Sequence, residues 1–394
     1  MFDANRVDQV LARAIDEGVA PGVVALAADD DDVFYIGAFG ARELGKAPCM
    51  SPDTVMWIAS MTKVVTSVAA LQLVEQARIR LDDPLSEYLP ELAAIQVLEG
   101  FDAVGTPRFR PPCRPMTLRH LLTHTSGFAY DIWNADILKY KTERQTRNPG
   151  LDEGKVGFLM APLAFDPGDR WEYGISIDWV GQTVERLSGQ SLEQYVREHI
   201  FGPLRMDDSS FVIRPEQYSR LASVHARGPD GSLEVIEFGP SQPPAFYEGG
   251  GGLYSTGLDY LQFLRMLLNG GILGTIRILR PETVAEMNRN QIGDLNVGSL
   301  MASIPSKSND IEFFPGMVKK WGLGSMLTTR DVPGGRSAGS LSWAGLANTY
   351  YWIDPARRIT GLLMTQIMPF GDAAVLNMFT EFERAIYAGH TRSR

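Results

Sequence analysis

The chain reads as an α/β (α+β) protein: a sheet assembled from the two ends of the sequence, with a largely helical region inserted between them. Three observations carry that reading. Strand-like runs stand at residues 22–28 and 33–39, and again at 323–329, 341–343, 347–353 and 359–367. Between them, up to about residue 205, the apolar spacing is mostly helical. Finally, 394 residues can bury a large core, as two domains or as one domain with an insertion. The expected division is residues 1–85 with 205–394 for the sheet domain, and 86–204 for the helical subdomain.

The elements follow in order. An amphipathic helix opens the chain, with Val7, Val10, Leu11, Ala14 and Ile15 on one face. Between the first two strands, Asp29-Asp30-Asp31-Asp32 reads as a hairpin turn. A second helix starts near Met61 and closes around Leu81-Asp82-Asp83-Pro84. Its Met61, Val64, Val65, Val68, Ala69, Leu71, Leu73 and Val74 make it apolar nearly all round, which predicts burial. In the inserted region, loops are expected at residues 106–115 and 166–168, and a clear helix at 176–187. Its Ile177, Val180, Val184 and Leu187 align, and Gly189 follows as the left-handed residue after the end. The closing helix runs from about Ala373, capped by Asp372, with Leu376, Phe379, Phe382 and Ile386 facing inward.

Composition excludes several function classes. The 44% hydrophobic and 21% charged content is ordinary for a globular protein. A net charge of −10 disfavours nucleic acid and anionic membranes as partners. No apolar run reaches the roughly 18 residues of a membrane span, and residues 1–7 lack the basic-then-apolar layout of a signal peptide. Cys49 and Cys113 have no His or Cys neighbours and read as free thiols in a reducing cytoplasm; a secreted form stripped of its leader fits the same residues.

The chemistry is concentrated at Ser60-Met61-Thr62-Lys63. On a helix, positions i and i+3 share a face, so an amine lies within reach of a hydroxyl near a helix N-terminus. Serine needs a neighbouring base to become a nucleophile, and Ser-Lys is one solution that does without histidine. With 24 Ser and 8 Lys, chance alone supplies about half an S-x-x-K, so the spacing is weak by itself. Its position at the start of a buried helix strengthens it, because a lysine there is costly unless satisfied or shifted in pKa. The plain alternative makes Ser60 an N-cap and Lys63 a surface residue.

Rival constellations are weaker. Gly335-Arg336-Ser337-Ala338-Gly339 matches G-x-S-x-G, but strand-like residues follow it where a helix is required, and only 55 residues remain after Gly339. It reads as a turn between strands. His120 and His124 sit at i and i+4, yet Leu121 stands where a metalloprotease has Glu. A helix end followed by a turn accounts for them. Gly249-Gly250-Gly251-Gly252 lacks the third glycine of a dinucleotide fingerprint and reads as a loop with close backbone approach. No metal or organic cofactor is implied.

Asp166-Pro167-Gly168 leads to Tyr173, a tyrosine held just before a helix. A phenol beside an ammonium is held partly as phenolate, so Tyr173 and Lys63 are expected to share one proton and act together as base. Taken alone, Tyr173 reads as a core tyrosine with a satisfied hydroxyl.

Ser60-x-x-Lys63, His120-Leu-Leu-Thr-His124-Thr-Ser-Gly127, Asp166-Pro-Gly168 with Tyr173, and Gly339-Ser-Leu-Ser-Trp343-Ala-Gly345 fall in the order of the serine β-lactamase-like proteins. More closely, the chain resembles the family VIII carboxylesterases and the lovastatin-type acyltransferase. Residues 97–102 and the Tyr173-Gly174 pair followed by Asp178-Trp179 echo the latter. The resemblance implies an antiparallel sheet flanked by helices, an all-helical subdomain, and a site in the cleft between. It implies that Ser60 is acylated, that Lys63 with Tyr173 is the base, and that the backbone N–H groups of Ser60 and Leu346 form the oxyanion hole.

The sequence departs from the lactamase pattern twice. Trp343-Ala344-Gly345 replaces Lys-Thr-Gly, removing the cation for a substrate carboxylate and supplying an apolar wall. Ile175 replaces the amide of Tyr-x-Asn. Both changes favour an uncharged, apolar ester as the small-molecule partner. The expected activity is a serine carboxylesterase on short-to-medium-chain esters. Acyl transfer to a bulky alcohol, or a penicillin-recognising protein with weak or no turnover, are the alternatives. Trp343, Gly345, Tyr130, Trp133 and Tyr247 are expected to line the pocket, the last three from their place in loops near the motifs.

Overall fold

The structure, a computed structural model, describes residues 2–147 and 154–390. Its centre is a seven-stranded antiparallel sheet whose strands come from both ends of the chain. Helix α1 (Ala4–Asp16) leads into strands β1 (Gly22–Asp29) and β2 (Val33–Gly40). The Asp29 carboxylate turns the hairpin between them, accepting from the N–H groups of Asp31 and Asp32. After α2 (Thr62–Glu75), α3 (Ser176–Ser188) and α4 (Gly257–Leu268), the chain returns to the sheet. It adds β3 (Lys319–Trp321), β4 (Met326–Thr328), β5 (Leu341–Gly345), β6 (Thr349–Asp354) and β7 (Ile359–Met364), and ends in α5 (Ala373–Gly389). The spatial order is β3-β4-β5-β6-β7-β1-β2, so β1 pairs with β7, Leu26 opposite Leu362, and ties the two ends together.

Period-two alternation decides which helices cover which face. On β6, Tyr350 stacks on Phe379 of α5 and Trp352 meets Phe379 and Phe382 edge-on, while Tyr351 between them meets Tyr260 of α4. Trp343 on β5 is paired with Tyr351 and therefore shares the α4 face. With both faces covered, β1 reads as a continuous buried run (Val23 to Ala28) rather than an alternating one. Helix α2 is buried through Leu73 and packs against α3, as its all-round apolar sequence predicts. Gly189 caps α3 at φ +76°, and the Asp372 carboxylate accepts from Val375 N–H at the start of α5.

Three features differ from the sequence reading. Helix α2, expected to close around Leu81-Asp82-Asp83-Pro84, ends at Glu75, and Ala77 just beyond it turns the chain with φ +56°. Residues 107–110, expected in a loop, form a strand (Pro107–Arg110) paired with Val97–Phe101. Arg110 holds the hairpin in place through ion pairs to Glu99 at 3.1 Å and Asp166 at 2.5 Å. In addition, the inward face of α5 carries a charge: Glu383 takes Arg336 in a bidentate pair, with both side chains almost wholly buried. This pair pins the Gly335–Gly339 loop against α5. Glu383→Ala leaves the guanidinium buried and unpaired, and is expected to lower unfolding free energy by about 3–5 kcal/mol in urea titration.

Candidate active site

The nucleophile turn is made by strain and close approach. After the short strand Met56–Trp57, which pairs with Tyr254–Ser255, Ala59 takes φ +44°, a left-handed conformation unfavourable for a residue with a Cβ. The turn leads into a 3₁₀ segment (Ala59–Met61) and then α2, leaving Ser60 half-buried at the helix entrance. Gly345 makes the contact with the sheet feasible. A Cβ there would lie 2.4 Å from the Ile58 carbonyl oxygen, so β5 presses directly on the chain entering the turn.

Lys63, one turn along, is 1% exposed. Its Nζ lies 3.1 Å from Ser60 Oγ, 3.1 Å from the Tyr130 hydroxyl and 2.6 Å from the Gly250 carbonyl oxygen. Burial drives the amine down from 10.5 to about 7, against the opposing pull of Asp178 and Glu248. A neutral amine keeps two N–H donors and one lone pair. With the Gly250 carbonyl and the Tyr130 hydroxyl oxygen taking the two donors, the lone pair is left facing the Ser60 hydroxyl. The arrangement can accept that proton.

Tyr173 stands on the other side of Ser60. Burial pushes its phenol above the usual 10, while hydrogen bonds with Ser60 and Trp343 pull it part of the way back. The Trp343 indole N–H donates to the Tyr173 oxygen at 2.9 Å. The Lys63 amine sits over the face of the Tyr173 ring, 4.7 Å from its centroid. This corrects the expected phenolate: Tyr173 keeps its proton, because burial outweighs the two hydrogen bonds and the amine meets the ring rather than the oxygen.

A narrow crevice opens at Ser60, lined by Trp133, Tyr173, Trp343, Ala344, Leu346 and Phe370. Leu346 is the first residue past β5, next to the nucleophile turn, where the second oxyanion donor is expected. Trp133 and Trp343 therefore line the crevice. The other three expected lining residues are not among these walls. Tyr130 faces the amine. Gly345 lies under the turn, against the Ile58 carbonyl. Tyr247 packs on Phe211, 5.5 Å between ring centroids, away from the crevice walls.

Behind Lys63 lie two acids, Asp178, which the resemblance names without giving it a role, and Glu248, which no motif contains. Asp178 of α3 is 1% exposed, and its Oδ1 accepts from the Gly250 N–H at 2.9 Å. Its Oδ2 is buried without a hydrogen-bond partner. Burial lifts the Asp178 carboxyl to about 6, opposed by Lys63 and the Gly250 N–H. Burial likewise lifts Glu248 to about 7, with Asp178 adding to the rise and Lys63 opposing it. The glycine tract follows from this packing: a Cβ on Gly250 would lie 2.5 Å from Asp178 Oδ2, and one on Gly249 2.9 Å from the Ile177 carbonyl oxygen. One sequence signal was available, namely an acid inside the buried stretch of α3.

The rival motifs resolve into structural roles. His120 completes a capping box with Thr117, and His124, buried against Tyr173 and Trp321, is held well below its usual pKa by burial and by Lys63. The Ser337 N–H donates to Asp354 in the loop between β4 and β5. Cys49 and Cys113 are exposed and unpaired. Among the described residues, no helix is long and apolar enough to cross a membrane.

Residues 7–382 match the protein family described as Beta-lactamase. The chain is 34% identical to lovastatin esterase of Penicillium rubens, over 97% of this chain and 98% of that protein. It is 32% identical to monacolin J acid methylbutanoyltransferase of Aspergillus terreus, over 97% and 95%. Among solved structures, unliganded simvastatin synthase from Aspergillus terreus superposes with a TM-score of 0.84 at 30% identity, covering 98% of each chain.

Proposed function

The chain belongs to the Beta-lactamase family, and from that membership and the site geometry we propose that it is a serine carboxylesterase hydrolysing apolar esters through an acyl-enzyme on Ser60. The observation that carries this reading is the neutral-capable amine of Lys63, 3.1 Å from Ser60 Oγ with its other two partners both acceptors. As Ser60 Oγ attacks the ester carbonyl, its proton passes to Lys63. The backbone N–H groups of Ser60 and Leu346 stabilise the oxyanion, a contribution of roughly 3–4 kcal/mol for each donor in such sites. Tyr173, protonated and oriented by the Trp343 indole, gives its proton to the departing alkoxide. In deacylation the Tyr173 phenolate takes a proton from the attacking water, and the Lys63 ammonium gives its proton to Ser60 Oγ as the acyl group departs, so both groups return to their starting states. Water adds to the acyl-enzyme, the acid leaves, and Ser60 regains its hydrogen.

Substrate class follows from the walls. Trp343 places a neutral donor and an aromatic face where a lysine would bind a carboxylate, and Trp133, Leu346 and Phe370 complete an apolar crevice. Such walls also favour a second reading, transfer of the acyl group to a bulky alcohol that displaces water. The relatives bearing esterase and methylbutanoyltransferase names support both outcomes of one acyl-enzyme. Hydrolysis of p-nitrophenyl butyrate with rising concentrations of an added alcohol separates them. Free butyrate as the main product at all concentrations supports the esterase; a new ester formed ahead of free acid identifies an acyltransferase.

The acid side of the pH profile provides a further check. The base must be unprotonated, so kcat/KM is expected to rise about tenfold per pH unit below pH 7 and to level off above it. Because burial holds the Tyr173 phenol above 10, no falling limb is expected between pH 7 and 10. A fall in rate between pH 8 and 10 would contradict Tyr173 as the acid.

A further inference from the structure

The acids behind Lys63 have no evident value to the fold. Asp178 is an acid inside the buried face of α3, and one of its oxygens has no partner. Burying an incompletely satisfied carboxyl is unfavourable, and an apolar side chain would pack there without that cost. Its one good hydrogen bond goes to Gly250 N–H, and the carbonyl of that same glycine accepts from Lys63 Nζ. Gly250 is thus gripped on one side by the acid and offers the other side to the amine. Gly249 beside it is fixed as well, its carbonyl accepting from the Thr66 hydroxyl of α2 at 2.8 Å.

We propose that Asp178 is a positioning residue for the Ser60–Lys63 pair, acting through Gly250 to aim the amine's lone pair at Ser60 and, together with Glu248, supplying the negative charge that sets the basicity of Lys63. The inference rests on Ser60 and Lys63 being nucleophile and base. Two separable effects follow. The hydrogen bond to Gly250 fixes the direction in which the carbonyl points, and so which two N–H donors of Lys63 are occupied. The charge is felt directly: Asp178 and then Glu248 are the groups that favour the ammonium against burial. Among the described residues, the other titratable groups around Lys63 are phenols and an imidazole. Tyr130 and Tyr173 are pushed above the usual phenol value by burial and His124 is held neutral, so none of them replaces a lost carboxylate.

Asp178→Asn keeps an oxygen for the Gly250 N–H and removes the charge. Without it the ammonium is less favoured, Lys63 loses its proton at lower pH, and the acid limb moves down. The readout is the rate at which a fluorophosphonate labels Ser60 as a function of pH, which needs no knowledge of the natural ester. Asp178→Asn is expected to shift the acid limb about one pH unit lower with the plateau largely kept. Asp178→Ala, which also frees Gly250, is expected to lower the plateau by about 10²-fold. Glu248→Gln, which leaves the Gly250 hydrogen bond intact, is expected to give a smaller shift in the same direction, and it keeps the test valid if Asp178 variants do not fold.

A limb that stays in place in both Asp178→Asn and Glu248→Gln, with melting temperatures unchanged, overturns the proposal. A merely structural role would lower the melting temperature and leave the limb where it is. Wild-type protein that takes no label at Ser60 at any pH defeats the nucleophile assignment itself, an outcome distinct from a labelled enzyme with an unmoved limb.

Discussion

Ser60→Ala is expected to reduce ester hydrolysis by about 10⁴-fold or more while the protein remains folded. The substitution removes one oxygen from a half-buried turn whose geometry is set by Ala59, Gly345 and the start of α2, so packing barely changes. What it removes is the atom that carries the acyl group. The other serine in a nucleophile-like motif, Ser337, cannot compensate. It borders a separate pocket with Arg6, Arg336, Arg357 and Tyr387 near α5, and its loop is fixed by the Arg336–Glu383 pair. Two measurements check this: p-nitrophenyl butyrate turnover by wild type and variant, and peptide mapping of the fluorophosphonate-labelled serine. Residual activity within tenfold of wild type, or a label on Ser337, would sink the assignment.

Lys63→Arg is expected to be nearly as damaging, with kcat reduced by about 10³–10⁴-fold, although charge and approximate length are preserved. The contrast between the two cations is informative. A lysine amine buried here falls to about 7 and spends much of its time neutral, whereas a guanidinium stays protonated at any working pH and has no lone pair to offer. A site that needed only positive charge beside Ser60 would tolerate arginine. A site that needs a base will not, and the deficit should persist up to pH 10 instead of being relieved by alkali. Recovery of arginine-variant activity to within tenfold of wild type would show that Lys63 acts by its charge alone. Circular dichroism on the same samples separates this from a folding defect, which is a real concern because a larger group must fit where Gly250 and Tyr130 already touch the amine.

How much of this was legible in the sequence depends on the range of each interaction. Ser60 and Lys63 are local partners, three residues apart at a helix start, and a helical register alone brings them together. The apolar circumference of α2, the Gly189 end of α3 and the Asp372 cap of α5 are local in the same sense, and the structure has them where the pattern puts them. Tyr173 was found by motif, but its ionisation was misjudged. Proximity to an amine suggested a phenolate, and only the burial of the ring and its face-on approach to Lys63 reverse that. The pocket residues were chosen from loops near motifs, a rule with no geometry in it. It reached Trp133, which lines the crevice at Ser60, and equally Tyr247, which packs on Phe211.

The sequence by itself determined the chemistry on offer: a serine with an amine one turn away, a tyrosine before a helix, and a tryptophan in place of a cation on the strand beside them. Helical and strand periodicities are short-range properties, written into neighbouring residues, and so are motifs built on them. The tertiary structure alone decided how that chemistry is tuned. The Lys63–Gly250 contact spans 187 positions and the Asp178–Gly250 contact 72, so neither has a local signature. The drop in the Lys63 pKa comes from desolvation by the whole surrounding core, a sum over many distant side chains that no window of sequence contains.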